Sequence, residues 1–265
     1  MDILTDQQGP VLTLTLNRPE RRNPITDLAM VDAIIAALEA AEADSSVRVV
    51  ILTGAGKAFC SGGDLRQMQP GPDSLIGATA EETQANYRNG IQRIPRAMEA
   101  LGVPVIAAVN GAAIGAGCDL TCMCDIRIAS TEARFAESFV KLGLIPGDGG
   151  AWLLPRIVGF SRATEMALTG DVIDAATALD WGLVSRVVAP EDLLPTCHQM
   201  AERIAANPPG AVSMAKRMLR KACTETLDQA LDTAGANQGR AHQTRDHAEA
   251  VAAFLAKRRP QFTGE

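Results

Sequence analysis

Two glycine-rich segments of the sequence could carry chemistry, because each follows an apolar run that predicts a strand. They are Gly54–Leu65, with the sequence GAGKAFCSGGDL, and Asn110–Asp119, with the sequence NGAAIGAGCD. Glycine lets the backbone turn sharply and leaves its N–H groups uncovered. The second segment also opens a predicted helix over Ala116–Cys124, and the first N–H groups of a helix have no intrahelical acceptor. Two such loops could direct one N–H each at a single oxygen, which is how an oxyanion hole is built.

Glycine-rich turns also bind phosphate groups or simply reverse the chain, so the segments alone leave the type of site open. Neither contains the GxGxxG spacing of dinucleotide-binding loops or the GxxxxGK[ST] spacing of phosphate-binding loops. The chain has no GxSxG motif, so a serine hydrolase has no support. Cys118, Cys122 and Cys124 follow one another at spacings of four and two, which do not place three thiolates on one helix face. We therefore expect them to be buried small side chains and expect no metal site.

The composition narrows the classes of partner. The chain has 265 residues, a formal net charge of −6 and no long basic run, so we expect no nucleic-acid partner. Its N-terminus lacks a basic segment followed by an apolar one, and no apolar stretch is long enough for a membrane span. These features predict a cytoplasmic protein that has reduced cysteines and binds no membrane.

Alternating strand and helix patterns precede and follow the glycine-rich segments. Strands are predicted at Val11–Leu16, Val47–Thr53, Pro104–Val109 and Leu183–Val188, and a helix at Asp27–Ala43. This alternation predicts a layered α/β fold. Shorter strands are expected at Ile126–Ala129 and near Phe135, and helices alone after about residue 190, at Glu191–Ala206, Pro209–Ala222 and Thr226–Ala256. We place a boundary between an α/β core, residues 1–195, and a helical region, residues 196–265.

Five motifs, in register over nearly the whole chain, resemble those of the enoyl-CoA hydratase/isomerase (crotonase) family. They are LNRPERRNP at Leu16–Pro24, the two glycine-rich segments, IPGDGG at Ile145–Gly150 and WGLVSRVV at Trp181–Val188. The resemblance implies a ClpP/crotonase-like spiral of ββα units with a helical C-terminal region that forms trimers, often as hexamers. It also implies an acyl-CoA substrate, with CoA as part of the substrate and no separate cofactor.

The resemblance assigns the oxyanion hole to the backbone N–H groups of Gly63 and Ala116, which would meet the thioester oxygen as it becomes an enolate. Gly is the usual family residue where this chain has Ala116. The CoA portion would be bound by two groups of residues, the second of them often supplied by a neighbouring subunit. The first group is Arg22, Ala58, Ser61, Asp64, Leu65 and Arg66, and the second is Phe254 and Lys257. The segment Gln69–Thr79 is expected to line the acyl pocket.

The catalytic carboxylates depart from the pattern of the family. Hydratases that resemble this chain hold a water between two glutamates, and the matching residues here are Asp119 and Phe139. Glu137 is two positions before Phe139, and we expect it to point away from the site. Asp148, in IPGDGG, is the second candidate acid.

One clear carboxylate is enough to move a proton between carbons of the same enolate, whereas hydration is expected to need two groups. Isomerisation of an enoyl-CoA is therefore the better chemical fit, with hydration as its counterpart in the same family. Other enolate chemistry, such as carbon–carbon hydrolysis or dehalogenation, and a non-catalytic CoA-binding role remain alternatives.

Overall fold

Strands and helices alternate along the first two thirds of the chain, as the sequence predicts, and only helices follow. The computed structural model describes residues 1–69 and 74–265, with the backbone alone at residues 66 and 67. The strands are β1 Ile3–Gln8, β2 Val11–Leu16, β3 Val49–Gly54, β4 Ala58–Cys60, β5 Val105–Val109, β6 Ala112–Ile114, β7 Ile126–Ser130, β8 Arg134–Ala136, β9 Ile173–Asp174 and β10 Arg186–Val188. The helices are α1 Leu28–Ala43, α2 Ala80–Asn89, α3 Arg93–Ala100, α4 Ala116–Met123, α5 Gly150–Val158, α6 Phe160–Thr169, α7 Ala175–Asp180, α8 Leu193–Ala205, α9 Pro209–Ala222, α10 Leu227–His242 and α11 Arg245–Leu255. Short 3-10 turns occur at Pro19–Arg21, Leu65–Met68, Ser138–Leu142 and Pro190–Asp192.

The described strands form two sheets, and the chain visits them in turn. The larger has the order β1-β2-β3-β5-β7-β10, and the smaller the order β4-β6-β8-β9. Pairs are parallel except β1 with β2 and β8 with β9. Three times in succession the chain forms a strand of the larger sheet, then one of the smaller sheet, then helix: β3-β4-α2, β5-β6-α4 and β7-β8-α5. This confirms the predicted α/β spiral of ββα units.

Both faces of the larger sheet are covered by helices. On one face α1 buries the apolar residues Met30, Val31, Ile34, Ile35 and Leu38. On the other, Leu193, Cys197, Ala201 and Ala205 of α8 pack with side chains of β3, β5 and β7. The boundary drawn at residues 195 and 196 therefore falls inside a helix that covers the sheet.

The structure corrects the single helix predicted over Thr226–Ala256. Two helices occur there, α10 and α11, separated at Gln243 and Thr244. The hydroxyl of Thr244 accepts a hydrogen bond from the N–H of His247 at 3.0 Å and so caps α11. Strands β1, β4, β6 and β9 were not predicted. Two or three residues in β4, β6 and β9 are too few to show an alternating pattern, and in β1 only Ile3 is buried.

The helices after α8 differ in how they are held. Lys216 and Arg220 of α9 each form an ion pair with Asp125 of the core at 2.8 Å. In contrast, α10 and α11 expose large apolar side chains: Leu227, Leu231, Val251, Phe254 and Leu255. Of the helices in residues 1–69 and 74–265, none combines the length and apolarity needed to cross a membrane.

Candidate active site

The two predicted oxyanion-hole loops meet because their strands are parallel neighbours. Strand β4 pairs with β6, so the loop after Cys60 and the turn after Ile114 lie at the same edge of the smaller sheet. The contact is close at Gly62, where an added Cβ would lie 2.4 Å from the carbonyl oxygen of Ile114 and 3.2 Å from the nitrogen of Ala116. Gly62 also has a φ of +85°, so residue 62 has to be glycine for the loops to meet.

The N–H groups of Gly63 and Ala116 remain available for a ligand. Ala116 is the first residue of α4 and is 2% exposed, so its N–H precedes the intrahelical hydrogen bonds. Within residues 1–69 and 74–265, neither N–H donates to a protein acceptor. The positive end of the helix dipole lies at Ala116. Both backbone N–H groups thus lie at the same edge of the smaller sheet without a protein acceptor among the described residues.

Three carboxylates from separate parts of the chain are buried together beside this edge. Asp119 is one turn into α4, Glu137 directly follows β8 and Asp148 precedes α5, and they are 0%, 1% and 3% exposed. Strand β8 runs parallel to β6 with Ala136 opposite Ile114, so Glu137 leaves the sheet at the same edge as α4 begins. The expectation that Glu137 points away from the site is therefore wrong.

Gly150 brings α5 against the carboxylate of Asp119. A Cβ built on Gly150 would lie 1.9 Å from Oδ1 of Asp119, closer than any side chain could be. Because Gly150 is the first residue of α5 and Asp148 lies two positions before it, this contact also brings Asp148 near Asp119. The glycine-rich IPGDGG motif thus has a steric role as well as carrying an acid.

Phe139, which the resemblance matches to the second hydratase glutamate, also lies beside the turn at Gly115. Its ring is partly buried, and its Cζ would be 3.6 Å from a Cβ built on Gly115. It belongs to the 3-10 turn Ser138–Leu142 that follows Glu137. An apolar ring therefore occupies this side of the loop, where it can exchange no proton.

Burial separates the acidities of the three carboxyl groups. Burial raises the pKa of Asp148 from 3.8 to about 6. For Glu137 the pKa rises from 4.5 to about 8, again chiefly through burial. For Asp119 burial and then the nearby charge of Glu137 raise the pKa well above its ordinary value. Environments that move neighbouring pKa values apart are typical of sites that perform acid–base chemistry.

Most residues assigned to CoA from the first group lie around one surface loop. The carbonyl of Arg22 accepts a hydrogen bond from the N–H of Ser61 at 2.8 Å, and Arg21 forms an ion pair with Asp64. Ala58 is buried in β4, and Leu65 is 57% exposed. The side chain of Arg66 and residues 70–73 of the predicted acyl-pocket segment lie outside the described part of the structure.

The second group does not join the first within one chain. Phe254 is 84% exposed near the end of α11, and Lys257, also exposed, follows that helix. Among the described residues, no hydrogen bond or ion pair links either of them to the loop Ala58–Leu65.

Asn23 is a residue whose role the sequence analysis missed. It is fully buried, and its amide nitrogen donates to the carbonyls of Ala55 and Ala58, both at 2.9 Å. Its amide oxygen accepts from the N–H of Arg18 at 2.8 Å. The final Asn-Pro of LNRPERRNP was the available signal: it holds the arginine-rich turn against the first glycine-rich segment.

Comparisons with known proteins agree with this geometry. A family model described as enoyl-CoA hydratase/isomerase matches residues 6–265. The chain is 42% identical to 1,2-epoxyphenylacetyl-CoA isomerase of Escherichia coli K12, over 99% of this chain and 98% of that protein. It is 37% identical to the short-chain-enoyl-CoA hydratase of Clostridium acetobutylicum, over 97% and 96% of the two chains. The crystal structure of an enoyl-CoA hydratase from Bacillus anthracis superposes with a TM-score of 0.92 at 35% identity, covering all of both chains.

Proposed function

The chain belongs to the enoyl-CoA hydratase/isomerase family, and from this premise we propose that it moves the double bond of an enoyl-CoA thioester through an enolate. One observation supports the choice of reaction: Asp119, Glu137 and Asp148 are buried near the loops of Gly63 and Ala116, while the residue that the resemblance matches to the second hydratase glutamate is Phe139. The buried carboxyl groups could therefore move a proton, whereas the second water-holding glutamate of hydratases is replaced by an aromatic ring.

The N–H groups of Gly63 and Ala116 would bind the thioester oxygen. Negative charge develops on that oxygen as a proton leaves the carbon chain, and the two N–H groups, which have no acceptor among the described residues, would stabilise it. Removing one donor of this kind typically raises the barrier by about 2.7–4 kcal/mol. Ala116 serves as well as glycine here, because only its backbone contributes.

Asp148 is the group that would move the proton. A base has to be ionised before the reaction, and Asp148, with a pKa of about 6, is the most readily ionised of the three carboxyl groups at neutral pH. It takes a proton from one carbon of the bound acyl chain and returns it to the other, so no net proton is gained or lost. Asp119 would stay protonated beside it, because burial and Glu137 hold its pKa well above the ordinary value.

CoA would be held by the loop around Arg22, Ser61 and Asp64, and no separate cofactor is needed. The exposed apolar side chains of α10 and α11 fit a trimer or hexamer, in which a neighbouring subunit brings Phe254 and Lys257 to this loop. The setting would be cytoplasmic degradation of fatty or aromatic acids.

Hydration is the second candidate, because relatives over nearly the whole chain are named hydratases. The purified protein should be given 3-enoyl-CoA and 2-enoyl-CoA thioesters separately, with the products identified by chromatography and mass spectrometry. We expect interconversion of the two with little 3-hydroxyacyl-CoA. Rapid formation of 3-hydroxyacyl-CoA without isomerisation would favour hydration instead. A double variant, Phe139→Glu with Asp119→Glu, should raise hydration relative to the parent if Phe139 is what suppresses it.

A further inference from the structure

Glu137 is a buried carboxyl group to which the proposed reaction gives no task. It is 1% exposed, and both of its carboxylate oxygens are without a hydrogen-bond partner among the described residues. The same is true of both oxygens of Asp119. The two residues flank one turn, because the N–H of Gly115 donates to the carbonyl of Ala136 at 2.8 Å and the N–H of Asp119 donates to the carbonyl of Gly115 at 3.0 Å. Each carboxylate also changes the pKa of the other.

No positive charge compensates this pair within the described part of the chain. None of the ion pairs there includes Asp119, Glu137 or Asp148. Among the described residues, the titratable groups facing the cluster are all neutral or acidic. They are Cys118 and Cys122 of α4, Cys60 of β4, Tyr87 of α2 and Asp148 before α5.

Two ionised carboxylates in such a setting would be strongly unfavourable. Each would lack solvent and a counter-charge, and each would repel the other. An ionised carboxylate accepts hydrogen bonds only, so neither group can satisfy the other unless a proton lies between them. One proton converts two repelling acceptors into a donor and an acceptor.

We propose that Asp119 and Glu137 form a carboxyl pair that retains at least one proton at neutral pH, and that Glu137 is the positioning residue for Asp119. The shared proton holds the Asp119 carboxyl in the narrow space against Gly150. It also keeps Asp119 from ionising beside Asp148, which remains the single ionised base of the cluster. The link to catalysis rests on the proposed function, but the shared proton itself does not.

The first test uses the protein without substrate. Infrared spectra at neutral pH should show the C=O stretch of a protonated buried carboxyl, and the double variant Asp119→Asn with Glu137→Gln should lose it. Asp148→Asn is the matched control, because it removes a neighbouring carboxylate that is ionised under these conditions, and it should leave the band in place. If the wild-type protein shows no such band, or if the double variant retains it at full intensity, the pair is overturned.

The second test uses the pH profile of kcat for isomerisation. In Glu137→Gln the amide can donate a hydrogen bond to an ionised Asp119, which lowers the pKa of Asp119. The fall of kcat at high pH should therefore begin about one pH unit lower or more. Glu137→Met has a similar volume and also removes the Glu137 charge, but it offers no donor to an ionised Asp119, so its profile should move toward acid by less than that of Glu137→Gln. Since a packing role would make the two variants behave alike, equal profiles would overturn the positioning role.

A failure of the carboxyl pair can be distinguished from a failure of the proposed reaction. If the infrared band is present but no enoyl-CoA is isomerised, the shared proton stands and the proposed reaction is wrong. If isomerisation occurs without the band, the reaction stands and the pair is wrong.

Discussion

The carboxylate of Asp119 occupies the space in which a side chain at residue 150 would begin. A Cβ built on Gly150 would lie 1.9 Å from Oδ1 of Asp119. The first turn of α5 and the first turn of α4 are thus in contact through one glycine and one acid. The position of that acid depends on a residue 31 places later in the chain that has no side chain of its own.

Gly150→Ala should displace Asp119 and lower kcat without a comparable change in KM for the CoA thioester. A misplacement near 1 Å in an active site can cost about 100-fold in rate. Gly210→Ala is the control, since Gly210 is also in the first turn of a helix, α9, and an added Cβ there meets nothing within 4 Å. Steady-state kinetics on both variants check the expectation, and similar kcat values for the two would contradict it.

Asp148→Asn should lower kcat by about 10²–10⁴-fold, because asparagine cannot accept the proton. Asp119→Asn should be milder, since asparagine resembles a protonated carboxyl in size and charge. In both variants KM for the acyl-CoA should change little, because neither residue belongs to the CoA loop. If Asp119→Asn is the more severe change, the proton is carried by Asp119 and our assignment of the base is wrong.

The buried carboxyl groups should make the protein less stable as pH rises from about 4 to about 8. In the unfolded chain Glu137 and Asp148 lose their protons near the ordinary values of 4.5 and 3.8, but in the folded protein near about 8 and about 6. The unfolded state therefore binds fewer protons in this range, and the free energy of unfolding falls by about 1.4 kcal/mol per unit of pKa difference.

Glu137→Gln removes the larger of these two contributions. Its free energy of unfolding should vary less between the two ends of this pH range than that of the wild type. Urea denaturation at fixed protein concentration measures this, with Glu132→Gln, an exposed carboxylate, as the control. An identical pH dependence in wild type and Glu137→Gln would show that Glu137 ionises normally in the folded state.

Lys257→Glu should raise KM for acyl-CoA several-fold while kcat changes little. This lysine, just beyond α11, would contact the 3′-phosphate of CoA, far from the bond that reacts. Its effect should weaken at high ionic strength, because an exposed ion pair is screened by salt. Arg203→Glu makes the same charge change at an exposed residue of α8 and should leave KM unaltered. Equal KM values for the two variants would remove Lys257 from the CoA site.

Leu255→Asp should dissociate the proposed trimer or hexamer. Leu255 is 75% exposed at the end of α11, and a charge buried at a subunit contact without a partner is costly. Leu168→Asp on α6, where the leucine is 72% exposed, is the control for a general surface effect and should keep three subunits together. Light scattering gives the masses, and a wild-type protein that is already monomeric would contradict the assembly itself.

The sequence by itself determined the local parts of this protein. The runs Val11–Leu16 and Pro104–Val109 predicted strands because alternating or continuous apolar residues reveal burial position by position. Glycines at 62 and 63, and a helix start at Ala116, revealed where N–H groups would be uncovered. Family motifs then connected these loops to acyl-CoA chemistry and predicted Asp119 and Asp148 as candidate acids.

Only the tertiary structure reveals that Glu137 is buried in the carboxyl cluster. Its place depends on β8 pairing in parallel with β6, which puts Ala136 opposite Ile114 and lets the N–H of Gly115 donate to the carbonyl of Ala136 at 2.8 Å. Because β6, a strand of three residues, carries no periodic pattern, its pairing with β8 could not be predicted from the sequence. The offset of two residues between Glu137 and Phe139 also led to the wrong prediction. Glu137 lies in the carboxyl cluster, whereas the ring of Phe139 lies over Gly115. A glutamate is rarely buried, and only the assembled fold shows that this one is.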